Sequence, residues 1–129
     1  MESPGDRRYT KTHEWVALEG DVATIGVTDF AQSELGDITY LELPDVGDTI
    51  SLDQAFGIIE SVKAANDIFS PLDGDVVERN EDVVSAPEMI NASPYSDAWL
   101  VRIRVADPKQ LDGLLSAEEY AELARSSAH

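Results

Sequence analysis

The sequence predicts a mostly β protein with short helices, two of them at its C-terminal end. Three observations predict this class. Glycine-aspartate pairs recur at 20–21, 36–37, 47–48 and 74–75, each beside a short β-prone run. Turns at such spacing mark a sandwich or a barrel. Residues 99–105 alternate Trp99, Val101, Ile103 and Val105 against Leu100, Arg102 and Arg104, the two-residue period of a half-buried strand. Two helix starts follow. Asp107-Pro108-Lys109-Gln110 offers a cap, a proline at the first position and a glutamine at the third. Ser116-Ala117-Glu118-Glu119 is a capping box.

Taken in order, residues 1–8 read as a flexible lead-in. Residues 13–18 and 22–27 are paired strands around the turn Glu19-Gly20-Asp21. Thr28 or Asp29 caps a short helix, Asp29 with Gln32 approximating a capping box, and Gly36 ends it. Residues 38–43 alternate Ile38, Tyr40 and Glu42 against Thr39, Leu41 and Leu43, and Pro44 stops them. Residues 49–52 form the next strand. Residues 56–62 and 68–69 form a hairpin around a short polar segment. Asp73-Gly74-Asp75 turns the chain into 76–78, and residues 87–90 form one helical turn opened by Pro87. The last helix runs from the capping box to about Arg125, with Tyr120, Leu123 and Ala124 on one face, and residues 126–129 fray.

A chain of 129 residues is expected to be one domain, 1–129, with its β core at about 9–105 and its C-terminal helices at about 107–125. Twenty-six acidic against 9 basic residues give a net charge of −17. That balance opposes nucleic acid, whose phosphates repel it, and anionic membrane surfaces. It favours steered encounters with basic partners. The absence of cysteine excludes disulfides, thiolate zinc sites and cysteine nucleophiles. No apolar run approaches a membrane span. Residues 1–10 contain no apolar core of a secretory signal, so a bacterial cytoplasmic protein is preferred to a processed mitochondrial one.

The chemistry centres on Lys63. It is the only lysine between Lys11 and Lys109, and it sits at the polar tip of the central hairpin. An isolated loop lysine is usually a solvating charge. The sharper reading is an attachment point for a group delivered by a partner enzyme, because a free lysine, with a pKa of about 10.4, is a poor nucleophile unaided. Ser61, Ala64 and Ala65 leave room for that approach.

The residues around Lys63 resemble a known family. Glu60-Ser61-Val62-Lys63-Ala64 is similar to the lipoyl-attachment motif of the glycine cleavage system H proteins. Tyr9-Thr10-Lys11-Thr12-His13-Glu14-Trp15 resembles their N-terminal signature. Further blocks at 26–32, 35–38, 43–48 and Pro94-Tyr95, with Trp99 beyond, resemble theirs in the same order. The likeness covers roughly residues 7–125.

The resemblance implies a flattened β-barrel, or barrel-sandwich hybrid, of the lipoyl-domain kind. It implies a non-catalytic shuttle carrying lipoic acid as an amide on Lys63, with Glu60, Ser61, Val62 and Ala64 as the attachment motif. The arm takes an aminomethyl group from a PLP-dependent glycine decarboxylase to a folate-dependent aminomethyltransferase. A dihydrolipoyl dehydrogenase reoxidises it, and a lipoate-attaching enzyme loads it. By position, Thr12, Glu14 and Asp67 are the implied cleft residues for the loaded arm. For an arbitrary chain, His13-Glu14-Trp15 reads otherwise: the aromatic packs and the polar pair faces water. Asp67 also has a rival role as a turn residue.

The sequence departs from the family at Ser96 and Ala98, where glycines are usual, so a left-handed backbone at Ala98 would cost about 1 kcal/mol or more. Asp53 stands where a turn glycine is common, and aspartate tolerates that conformation better than most. Two other functions fit less well. One is a lipoyl carrier paralogue serving lipoate relay or a specialised modification system. The other is a small enzyme using Glu14 and Asp67, but the chain has no Gly-x-Ser-x-Gly elbow, no phosphate loop and no histidine cluster.

Overall fold

The computed structural model describes residues 4–127. In chain order these form β1 (Arg8–Tyr9), β2 (Glu14–Glu19), β3 (Val22–Val27), α1 (Asp29–Leu35), β4 (Ile38–Glu42), β5 (Thr49–Ile50), β6 (Ala55–Ser61), β7 (Ala65–Phe69), β8 (Gly74–Arg79), α2 (Glu81–Ser85), α3 (Met89–Ala92), β9 (Val101–Val105), a 3-10 helix (Pro108–Gly113) and α4 (Ala117–Ser127). The strands make two antiparallel sheets. One has the order β1-β2-β3-β9-β8-β5 and the other β4-β6-β7. Ile25, Val76 and Ile103 from the first sheet meet Leu41, Ile59 and Ile68 from the second in one buried core. The mostly β class with short helices, two of them C-terminal, is the observed one.

A second cluster is aromatic. Tyr9, Trp15, Tyr95 and Tyr120 are all buried, and Tyr9 stacks on Tyr120 with ring centroids 4.8 Å apart. This cluster seats α4 against β1, with Leu123 and Ala124 packed on it as the helical spacing predicts. The α4 capping box forms reciprocally: Ser116 N–H donates to Glu119 and Glu119 N–H to the Ser116 hydroxyl. Trp15 lies flat over its cross-strand partner Gly26, where a Cβ would approach its ring to 2.5 Å, so only glycine fits. The indole N–H donates to the Pro94 carbonyl at 2.9 Å.

Several expectations change. The lead-in expected over 1–8 is tied down within its described part. Arg8 pairs in β1 with Val16, and the Arg7 guanidinium lies 4.4 Å from the Trp15 ring centroid. Residues 1–3 lie outside the described residues, as do 128–129 of the expected fraying end. The helix cap is Thr28, whose hydroxyl accepts from Ala31 N–H, while Gln32 donates to the Asp29 side chain. The strict alternation expected over 38–43 is broken by a register shift between Ile38 and Tyr40, so Ile38 and Leu41 are both buried and Tyr40 is exposed. Gly74 lies in β8 itself. The short helix α2 has no counterpart in the sequence reading, and the helix at Pro108 is 3-10 in kind. Ala98 avoids the left-handed region; among the described residues only His13 (φ 75°) and Asp53 (φ 65°) adopt it without being glycine. The cost expected at Ala98 therefore does not arise, and Asp53 behaves as its residue type allows.

Candidate functional site

The hairpin β6–β7 closes on a tight turn. Ser61 N–H donates to the Ala64 carbonyl at 2.8 Å, and the Ser61 hydroxyl accepts from Lys63 N–H at 3.3 Å and Ala64 N–H at 3.2 Å. Ser61 is thus a turn former as well as a small neighbour. Lys63 is exposed, as are Val62 and Ala64 beside it, and Val62 is 81% exposed. The Lys63 side chain leans over Gly36 at the C-terminal end of α1, with its Cε 3.8 Å from where a Cβ on Gly36 would stand. Asp67 lies on β7, exposed, opposite Ile58 of β6.

Beside the hairpin is a cleft of about 920 Å3. Lys11 to Glu14 form its floor. Phe30, Ala31, Glu34 and Leu35 of α1 form one wall, and residues 58–60 and 64–69 of the hairpin form the other. Three of the expected residues, Thr12, Glu14 and Asp67, line this one cleft, together with Glu60 and Ala64 of the motif. Lys63 stands at its edge.

Glu14 corrects the reading of a polar pair facing water. It is 2% exposed. Its Oε1 accepts from the hydroxyls of Thr10, at 2.6 Å, and Thr12, and its Oε2 accepts from Phe69 N–H at 3.2 Å. Burial pushes its pKa from 4.5 up to about 6, against the pull of these donors. The carboxylate is therefore ionised at neutral pH, pre-oriented and poorly hydrated, which suits it to a cation. Thr12 acts here chiefly as a donor to Glu14.

The wall helix α1 is pinned at both ends by distant segments. At its start, the Thr28 hydroxyl lies 2.7 Å from Tyr120 Oη of α4, and Tyr95 Oη accepts from Asp29 N–H at 3.1 Å. At its end, Asn91 of α3 donates to the Gln32 side chain and the Gly36 carbonyl and accepts from Ile38 N–H. From the sequence, Thr28 has a capping role and Tyr120 a packing role, but neither has a part in the cleft, nor have Thr10, His13 or Asn91. Thr10 and Thr12 reach the Glu14 carboxylate because residues 10–13 turn back, with His13 N–H donating to the Thr10 carbonyl at 3.2 Å and Thr10 N–H to the Glu14 carbonyl at 2.9 Å.

Among the described residues no His, Cys, Asp and Glu cluster is placed to hold a metal ion, and no helix is long and apolar enough to cross a membrane.

Comparisons with known proteins point one way. The family model described as "Glycine cleavage H-protein" matches residues 7–127. The chain is 49% identical over 121 residues, 94% of each chain, to the glycine cleavage system H protein of Halothermothrix orenii. It is 46% identical over 129 residues, the full length of both, to that of Nitratidesulfovibrio vulgaris. The crystal structure of a glycine cleavage system H protein from Mycobacterium marinum superposes with a TM-score of 0.84 at 35% identity, covering 97% of this chain and 99% of that one. The lipoyl-domain-like sandwich expected from the sequence is the fold of that structure.

Proposed function

The chain belongs to the glycine cleavage H-protein family, and from that premise we propose that Lys63 is its lipoyl attachment site and the adjoining cleft the shelter of the loaded arm. The protein is the lipoyl-bearing shuttle of the glycine cleavage system, a carrier without catalysis of its own. When attached, lipoic acid supplies the dithiolane that takes up the one-carbon unit. The chain presents, shelters and releases it.

One observation supports Lys63 above all: an exposed amine on a rigid turn, at the edge of a cleft whose floor is a buried carboxylate. The fit is chemical. Amide formation removes the lysine charge and lets the arm lie along an apolar wall of Phe30 and Leu35. Glu14 then offers a charge-assisted hydrogen bond to an ammonium. Asp67, exposed and four residues beyond Lys63, adds a weaker attraction. Glu60, Ser61, Val62 and Ala64 form the surface that the lipoate-attaching enzyme reads.

The partners proposed are the PLP-dependent glycine decarboxylase, the folate-dependent aminomethyltransferase and the dihydrolipoyl dehydrogenase, with the bacterial cytoplasm as the compartment. A tethered arm meets each active site at an effective concentration on the order of mM. Intact mass after expression with lipoate, followed by peptide mapping, tests the attachment. Lipoate on Lys63 alone is expected; lipoate on Lys11 or Lys109 would overturn the assignment.

A further inference from the structure

His13 lies on the cleft floor beside Glu14, in the left-handed backbone region, with its ring 4.7 Å from that of Phe30. Its Nδ1 is 2.7 Å from Tyr120 Oη, and Tyr120 Oη is 2.7 Å from the Thr28 hydroxyl. Thr28 and Tyr120 are buried, at 0% and 1% exposure, so each hydroxyl hydrogen needs a protein acceptor. The Thr28 oxygen already accepts from Ala31 N–H. Its own hydrogen has one oxygen in reach among the described residues, that of Tyr120. The Tyr120 hydrogen is then directed to His13 Nδ1, the remaining acceptor. Reversing the chain would leave the Thr28 hydrogen buried without a partner, with its desolvation uncompensated.

We infer that the Thr28–Tyr120 chain fixes His13 as the neutral Nε2–H tautomer, so that the cleft floor presents an N–H donor to the sulfur end of the loaded arm beside the Glu14 carboxylate. The tautomer follows from the hydrogen bonds alone; its use rests on the arm-binding reading proposed above. Nε2 has no hydrogen-bond partner among the described residues. The buried side-chain nitrogens and oxygens without a hydrogen bond among them belong to Arg7 and Arg79, so Nε2 keeps some exposure, and His13 lines the cleft. Burial also lowers the His13 pKa, with the Glu34 carboxylate opposing.

The reach agrees. Lys63 leans on Gly36 at one end of α1, while His13 receives Thr28 N–H at the other. That helix spans roughly 10 Å at 1.5 Å per residue. An extended pentanoyl chain and its sulfur end cover such a span, so His13 and Glu14 are the residues that would meet the sulfur end and the ammonium of an arm laid along α1. A lone pair at Nε2 would instead compete with Glu14 for the ammonium.

The test is long-range proton–nitrogen NMR of the nitrogen-labelled full chain, in which H129Q leaves His13 as the single imidazole. The unmodified chain is expected to show a protonated Nε2 and a bare Nδ1. A protonated Nδ1 would overturn the tautomer assignment whatever lipoate does. Y120F should lose the single-tautomer signature and T28S should retain it. T28V, which removes the first donor with less disturbance of the aromatic stack, should weaken it. An unchanged signature in both Y120F and T28V would overturn the relay. The lipoylated dithiol form can be loaded with formaldehyde and ammonium, forming the carbon–sulfur bond with loss of water. Loading should shift the Nε2–H resonance selectively. An unshifted resonance on confirmed loaded carrier would overturn the donor role and leave the tautomer result standing, while absence of lipoate from Lys63 would overturn the attachment reading.

Discussion

The hairpin tip and the cleft floor stand side by side and are built in opposite ways. At the tip, residues 62–64 are exposed, and the turn is held by Ser61 and Ala64 within four residues of chain. On the floor, Glu14 is buried and held by Thr10, Thr12 and Phe69, while His13 and Thr28 are tied to Tyr120. The tip needs reach and access, so it is local and solvated. The floor needs a charge kept ready out of water, so it draws on four chain segments. On the proposed reading, modification chemistry sits where the structure is simplest, and retention sits where it is most interdependent.

The largest expected effect falls on the tip. K63R should abolish lipoylation, because a guanidinium with a pKa above about 12 is no acyl acceptor. Mass spectrometry would show an unmodified chain, and thermal unfolding would match wild type because Lys63 is exposed and lies outside the buried core. Residual lipoylation of K63R would end the claim that the tip has one acceptor.

The aromatic cluster that follows the floor in sequence should answer oppositely, in stability first. In G26A the new Cβ would lie 2.5 Å from Trp15 ring atoms. Overpacking of this kind costs about 1–3 kcal/mol, read as a lowered midpoint in denaturant. A midpoint unchanged from wild type would show that this cluster yields as freely as the tip.

The next test uses pH. The Glu14 pKa of about 6 exceeds its ordinary 4.5, so the fold favours the protonated form. That contribution is fully present below about pH 4.5 and is lost as pH rises through about 6. E14Q cannot ionise and escapes the loss. Its stability relative to wild type should rise by about 2 kcal/mol between about pH 4.5 and pH 7, at about 1.4 kcal/mol per unit. Denaturant curves at the two pH values measure this, and a constant difference would show that burial does not raise the Glu14 pKa.

Smaller effects concern retention. The loaded carrier, kept without partner enzymes, should lose its one-carbon unit about tenfold faster in E14Q, since a charge-assisted contact of about 1.5–3 kcal/mol is only partly lost to the amide. In D67N the exposed position limits the change to about twofold. Both variants should be lipoylated normally. Equal lifetimes in all three proteins would remove the functional half of the contrast. Smallest of all, the Michaelis constant of the partner enzymes for this carrier should rise with salt, because steering by a net −17 is screened beyond about 8 Å at physiological ionic strength.

The contrast also explains what the sequence made legible. The tip was readable because its determinants are adjacent: Glu60 to Ala64 is one short motif on one hairpin. The strands around it were readable from period and punctuation, and the α4 capping box from four consecutive residues. What escaped was nonlocal or out of phase. Tyr120 is 107 residues from His13 and 92 from Thr28, and no window joins them. The burial of Glu14 depends on Thr10 and on Phe69, which lies 55 residues on. The shift between Ile38 and Tyr40 turns Tyr40 outward against the alternation. The helix α2 was missed although Asn80, followed by Glu81 and Asp82, supplied a usable start signal.

The pinning of α1 also sets an order of events on the ribosome. The β6–β7 pairing joins residues at most 14 apart, from Ala55↔Phe69 inward, so its loop-closure entropy is small and its register can settle early. The wall it faces waits for Asn91 and then for Tyr120, which emerge much later from a chain made at about 5–20 residues per second. Lys63, the proposed acceptor, is thus exposed on a nascent chain before the cleft beside it is complete, and α4 pins the wall helix as the last of these pieces to arrive.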